Sequence, residues 1–332
     1  MLIADKYKRK VIAGKGGTEP LAVASGSYKQ SYPLATASGS VSIAPSALAE
    51  FALGFVRQPM KTITTDRLPR IAASSYLNTA PLIWSFLHGS KQNAVELFTH
   101  QAPARCAEML TSREVDAALV PVIEYQRIPD IAIVPDVCVG SRAEVRSVVI
   151  ASKLNNLKKV KRVALDESSR TSVTLVKIIF REFLGFEPEW QVSRPDLRFM
   201  LEHNDAALII GDPAMKIPRD QFRIFDLAML WHDFTGLGFV FAMWMAGTNQ
   251  AEKVQAIDFK AACDEGLAHL DEIAAGYEDK PALSSDEIKD YLTRNIAFQM
   301  DDGMKRGLDL YFELGQRHGL IERVKPLEFT QS

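Results

Sequence analysis

Two stretches of the 332-residue chain read nearly alike, DAALVP from Asp116 and DAALII from Asp205. Each closes a similar succession of patterns, and this repetition constrains the fold more than any other feature. Ahead of Asp116, RIAA from Arg70 reads as a strand. A polar turn then leads to a helix from about Thr79 to Leu87, VELFTH reads as a second strand and APARCAEMLTSREV as a second helix. Ahead of Asp205, VKRVALD reads as a strand, SRTSVTLVKIIFREFLG as a helix closed by Gly185, EPEWQVS as a strand and RPDLRFMLEHN as a helix. A strand-helix-strand-helix-strand rhythm implies a mainly parallel sheet with helices on its faces. Its double occurrence implies two similar lobes, and at roughly 150 residues per domain the chain is long enough for both.

Two apolar stretches fall where the chain would pass between lobes. VRSVVIAS, Val145 to Ser152, separates the two units, and GLGFVFAMWMAG, Gly236 to Gly247, follows the second. Both suit interior strands. From about Thr248 onward the chain reads as three helices, with Ser285 as a cap before an acidic first turn. The expectation is an α/β fold, a two-lobed clamshell with C-terminal helices on the first lobe. Residues 68–152 plus 236–328 form lobe 1, residues 153–235 form lobe 2, and the ligand cleft lies between them. Residues 1–67, rich in Ala, Ser, Gly, Thr and Lys and without sustained periodicity, are expected to be a mostly disordered extension, of which residues 1–59 are expected to be dispensable.

Composition narrows the class of partner. With 39 Lys and Arg against 41 Asp and Glu, the net charge of -2 supplies no basic field to hold nucleic acid or an anionic membrane. A small-molecule partner is favoured, while the oligomeric state is not legible. No run of about 18 apolar residues is present, and the N-terminus lacks the apolar core of an export signal, so a cytoplasmic location is expected. Cys106, Cys138 and Cys263 are far apart in sequence and form no C-x-x-C pair, which fits free thiols in a reducing compartment. The six histidines include no pair at metal-ligand spacing, and His232 reads as a surface residue. GKGG near residue 14 lacks the Ser or Thr of a phosphate loop.

The stretch LDESSRTSVTLVKIIF, Leu165 to Phe180, is the most suggestive local feature. Its apolar repeat begins near position 170, so Ser169, Arg170, Thr171 and Ser172 surround a helix start, where free N–H groups and the positive end of the helix dipole favour an anion. A carboxylate or phosphate suits that place, but Ser168 or Ser169 acting only as a helix cap is equally compatible with the spacing. Asn78 in YLNTAP poses the same choice between cap and ligand donor. Ser147 lies in an apolar crossing strand, where its hydroxyl either finds a partner in the core or is exposed in the cleft.

Between Arg70 and Ala246 the motifs YLNTAPL, ALVPVIEY, VRSVVIAS, VALDESSRTSVTL, DAALIIGDPAM and TGLGFVFAMWMAG occur in one order, and in this the chain resembles the chorismate dehydratases of the futalosine route to menaquinone. The resemblance implies a fold similar to type II periplasmic binding proteins. It also implies conversion of chorismate to 3-[(1-carboxyvinyl)oxy]benzoate and water, with no metal or organic cofactor. Carried over position by position, it makes Asn78 and Ser147 candidate catalytic residues and places a substrate carboxylate on Ser169, Arg170, Thr171 and Ser172. Ala143, Glu144 and Gly238 depart from the family pattern. No His, Lys or Glu is well placed in the sequence as a base, so the enolpyruvyl carboxylate of the substrate is expected to take the proton itself. Two rivals are a 1,4-dihydroxy-6-naphthoate synthase, which the LNTAP pattern disfavours, and a solute-binding protein, which would share the clamshell without the chemistry.

Overall fold

A computed structural model describes residues 67–277 and 283–330. The expectation for residues 1–67 therefore lies, but for Arg67, outside the described residues. Ten strands are formed: β1 (Arg70–Ser74), β2 (Glu96–His100), β3 (Ala117–Pro121), β4 (Ile131–Ser141), β5 (Val148–Ser152), β6 (Arg162–Asp166), β7 (Glu189–Ser193), β8 (Ala206–Ile210), β9 (Arg223–Asp226) and β10 (Phe239–Gly247). They make two five-stranded sheets of matching order, β2-β1-β3-β10-β4 and β7-β6-β8-β5-β9. In each, four strands run in one direction, and the fifth, β10 or β5, runs antiparallel between its two neighbours. The sheets are thus mixed, where the sequence pointed to mainly parallel ones.

The repeated DAAL units occupy equivalent places. Ala117 and Ala118 pair with Ile71 and Ala72, as Ala206 and Ala207 pair with Val163 and Ala164. The aspartate ahead of each does the same work: Asp116 accepts the Arg70 N–H at 2.8 Å, and Asp205 accepts those of Lys161 and Arg162 at 2.8 and 3.0 Å. Both β3 and β8 are buried along their whole length, which is why they read as unbroken apolar runs. The edge strands β2 and β7 carry exposed residues, as sheet edges facing water require.

The two crossing stretches become β5 and β10, each the antiparallel neighbour of a DAAL strand. Val148–Ser152, grouped by sequence with the first lobe, pairs within the second sheet. β4 and β9 have no counterpart in the sequence expectation, because both follow irregular segments and their apolar content is interrupted by charged residues.

Helices α1 (Ala80–Leu87), α2 (Pro103–Thr111), α3 (Arg170–Ile178) and α4 (Leu197–His203) connect the parallel strands. A left-handed Gly185 with φ 79° ends the turn that continues α3, as expected for a helix C-terminus. After residue 248 more helices are present than the three expected, among them Phe259–Ala268, Ser285–Asp290 and Asp302–Arg317. The cap of Ser285–Asp290 is Ser284, in a capping box with Glu287, and not Ser285. Phe259–Ala268 packs against α1 so closely that a Cβ on Gly266 would lie 2.0 Å from the Pro81 carbonyl oxygen. Asp302–Arg317 lies on β10, where Tyr311, Phe239 and Trp231 form an edge-to-face cluster with centroids 5.0 and 5.5 Å apart. Each such fully buried large side chain contributes about 1.5–3 kcal/mol.

Candidate functional site

β6 ends at Asp166, which is fully buried and whose Oδ1 accepts the Ser168 N–H at 2.9 Å and the Ser168 hydroxyl at 2.6 Å. Burial pushes this carboxyl upward from its ordinary value. The Ser168 hydroxyl is thereby drawn away from the helix that follows. Ser169 occupies the residue before α3, but its side chain makes no capping bond. The cap alternative is therefore not realised, and the first-turn N–H groups of α3 keep their capacity to bind an anion. Ser169, Thr171 and Ser172 line an inner cavity.

Asn78 lines the same cavity from the other lobe. It lies inside a tight 3₁₀ turn, Leu77–Thr79, and caps neither that turn nor α1. The Thr79 hydroxyl approaches Asn78 Oδ1 at 3.4 Å and bonds the Ser74 hydroxyl at 2.8 Å. The inner cavity, completed by Val148, Ile210, Gly211 and Phe241 among others, has a volume of about 60 Å³. Outside it lies a larger cleft of about 930 Å³, lined by Arg105, Glu108, Asp212, Lys216 and Tyr277 among others. Tyr76 borders both. Its ring rests on Gly211, where a Cβ would sit 2.7 Å from the ring carbons and where φ is 65°, so only glycine fits. Burial first, then the charge of Asp166, raises the Tyr76 phenol to about 12.

Contacts across the cleft hold this arrangement. The Leu77 N–H donates to Asp212 Oδ1 at 2.9 Å, and the Ile123 N–H donates to Thr171 Oγ1 at 3.3 Å. Arg170 donates to Glu124 at 3.0 Å and Glu108 at 3.2 Å. Of the residues expected at the site, Asn78, Ser169, Thr171 and Ser172 are thus brought together. The Arg170 guanidinium instead serves as a clasp between lobes and lines neither cavity.

Ser147 lies immediately behind the wall, fully buried, next to the lining residue Val148. Its carbonyl accepts the Gly211 N–H at 2.7 Å, and its hydroxyl accepts from the Tyr291 hydroxyl at 2.7 Å. Tyr291 and Asp166 received no role from the sequence. Asp166 had a local signal, an acid directly before a run of serines, whereas Tyr291 stands 144 residues from Ser147 and had none. Glu144, which departs from the family pattern, is exposed; its side chain meets Asn295 Nδ2 at 3.3 Å and lines neither of these two cavities. Gly238 likewise lies away from them, its carbonyl accepting from Trp231 Nε1 at 3.2 Å.

Among the described residues no group of three or more His, Cys, Asp and Glu side chains is placed to hold a metal ion, and no helix is long and apolar enough to cross a membrane. The site's chemistry is that of hydroxyls, an amide and a helix N-terminus, a set suited to carboxylates and hydroxyl groups.

The family described as menaquinone biosynthesis matches residues 69–317. A chorismate dehydratase of Thermus thermophilus is 29% identical over 233 residues, covering 64% of this chain and 84% of the relative. In fold the chain is similar to a structural-genomics protein of Archaeoglobus fulgidus, with a TM-score of 0.63, 18% identity, and coverage of 76% of this chain and 98% of that one. It is also similar to a Candida albicans gene product with the generic periplasmic binding protein fold, at a TM-score of 0.56 and 14% identity, covering 80% and 98% of the two chains.

Proposed function

We propose, from the premise that the chain belongs to the menaquinone biosynthesis family, that it is a hydro-lyase that converts chorismate to 3-[(1-carboxyvinyl)oxy]benzoate and water in the futalosine route. The observation that carries this reading is the meeting of Asn78 with the uncapped start of α3 in one cavity. The relative from Thermus thermophilus supports the substrate. A cytoplasmic setting accords with Cys106, Cys138 and Cys263, which are all buried and free.

The reaction removes a proton from the ring carbon bearing the enolpyruvyl ether and hydroxide from its neighbour. The electron pair of the broken C–H bond becomes a ring double bond, the C–O bond breaks, and proton and hydroxide leave as water. Aromatisation supplies the driving force. The protein's part is to hold the enolpyruvyl arm so that its own carboxylate reaches the C–H, and to stabilise charge spreading into the ring carboxylate. Thr171, Ser172 and the first-turn N–H groups of α3 hold a carboxylate, with Ser169 beside them. Asn78 and Ser147 position the arm and the leaving hydroxyl, and Arg170 closes the lobes over them.

Incubation of the purified protein with chorismate, followed by mass spectrometry, tests the reading. Loss of one water with appearance of an aromatic absorbance is the expected outcome. Chorismate recovered intact, or bound and released unchanged, would overturn the enzyme reading in favour of a binding protein.

A further inference from the structure

Tyr291 opens the turn Tyr291–Asn295 that follows helix Ser285–Asp290, and its side chain is wholly buried. A buried phenol must spend its hydrogen on an acceptor, and here it goes to Ser147 Oγ at 2.7 Å. The Asn78 side chain lies close enough to the same phenol to influence its ionisation. Asn78 Oδ1 faces the Thr79 hydroxyl at 3.4 Å, which leaves its amide N–H groups for the cavity that Asn78 lines. Ser147, already accepting from Tyr291, has its own hydrogen left with only a long contact to the Val145 carbonyl at 3.4 Å.

We infer that Tyr291 is a positioning residue for the dehydration, fixing the orientation of the Ser147 hydroxyl at the start of the crossing strand β5. The inference rests on the reaction proposed above. Without the phenol oxygen the Ser147 hydroxyl is free to rotate. That misorientation affects the transition state more than the encounter with substrate. Burial raises the Tyr291 phenol well above its ordinary value, so it acts as a neutral donor and acceptor and takes no proton from substrate.

The test compares wild type, Tyr291→Phe, Ser147→Ala and the double variant with chorismate, measuring kcat, KM and Tm for each. Tyr291→Phe is expected to lower kcat by about 10- to 100-fold, with KM within about two-fold and the fold retained. In the double variant the effect of Ser147→Ala is expected largely to vanish, because the two groups act as a unit. Wild-type kcat in Tyr291→Phe, multiplicative losses in the double variant, or a Tyr291→Phe protein that no longer folds would each overturn the assignment and leave a structural hydroxyl. A wild-type protein that leaves chorismate intact is a different outcome, removing the reaction itself and this role with it.

Discussion

Asn78 is the residue at which capping and ligand binding can be separated. Asn and Asp cap helices about equally well, so a cap would make Asn78→Asp nearly silent. The Asn78 side chain makes no capping bond; it lines the inner cavity. Replacing an N–H donor by a negative charge about 4 Å from a carboxylate costs about 4 kcal/mol at an effective dielectric near 20. Turnover of Asn78→Asp should therefore fall by orders of magnitude while unfolding stability stays within about 1 kcal/mol of the parent. Steady-state rates and a denaturant titration on the same preparation check both halves, and wild-type turnover would reject the role. The motif YLNTAP made Asn78 visible as a candidate. Its place opposite the start of α3 was not visible, because that depends on residues of the other lobe, far along the chain.

Among the elements, α3 decides where a carboxylate can sit. Its N-terminus is open because Ser168 is engaged by Asp166 and Ser169 makes no cap. The two hydroxyls of its first turn are not equivalent. Thr171 accepts the Ile123 N–H, so Thr171→Val would also orphan a buried donor and lose stability for reasons unrelated to ligand. Ser172→Ala is the cleaner probe. It should weaken chorismate binding by about 1.5–3 kcal/mol, the range of one hydrogen bond to a charged group, with Tm unchanged. Calorimetric titration measures this, and undiminished affinity would remove Ser172 from the site. The position of this helix start was legible from the apolar repeat beginning near residue 170. Its being uncapped was not, since serines before a helix cap it unless something else claims them.

At the scale of the molecule, the lobes are drawn together by the Leu77–Asp212 hydrogen bond, the Thr171–Ile123 contact and the Arg170 ion pairs. The inner cavity of about 60 Å³ leaves room for only a few waters, so a ring with two carboxylate arms enters when the lobes part or Tyr76 swings aside. Closure then excludes water from the reacting centre. Arg170 is the handle on this equilibrium. Glu124 is 3% exposed and also pairs with Arg127, so Arg170→Gln removes the charged bonds to Glu124 and to the half-exposed Glu108 without stranding the buried carboxylate. The closed form should lose about 1.5–3 kcal/mol relative to the open one. Small-angle scattering should show a larger radius of gyration and kinetics a raised KM, whereas an unchanged KM with unchanged scattering would deny Arg170 the role of clasp.

What the sequence by itself determined is what short-range periodicity and local motifs encode: the twice-repeated strand and helix alternation, the buried DAAL strands, the helix start at Arg170 and the candidacy of Asn78. The antiparallel partners β4 and β9, the direction of the Arg170 side chain and the bond from Tyr291 to Ser147 were decided only by the tertiary structure. Strand pairing and hydrogen-bond satisfaction join residues far apart in the chain. A buried hydroxyl or guanidinium takes whichever partner the folded neighbourhood supplies.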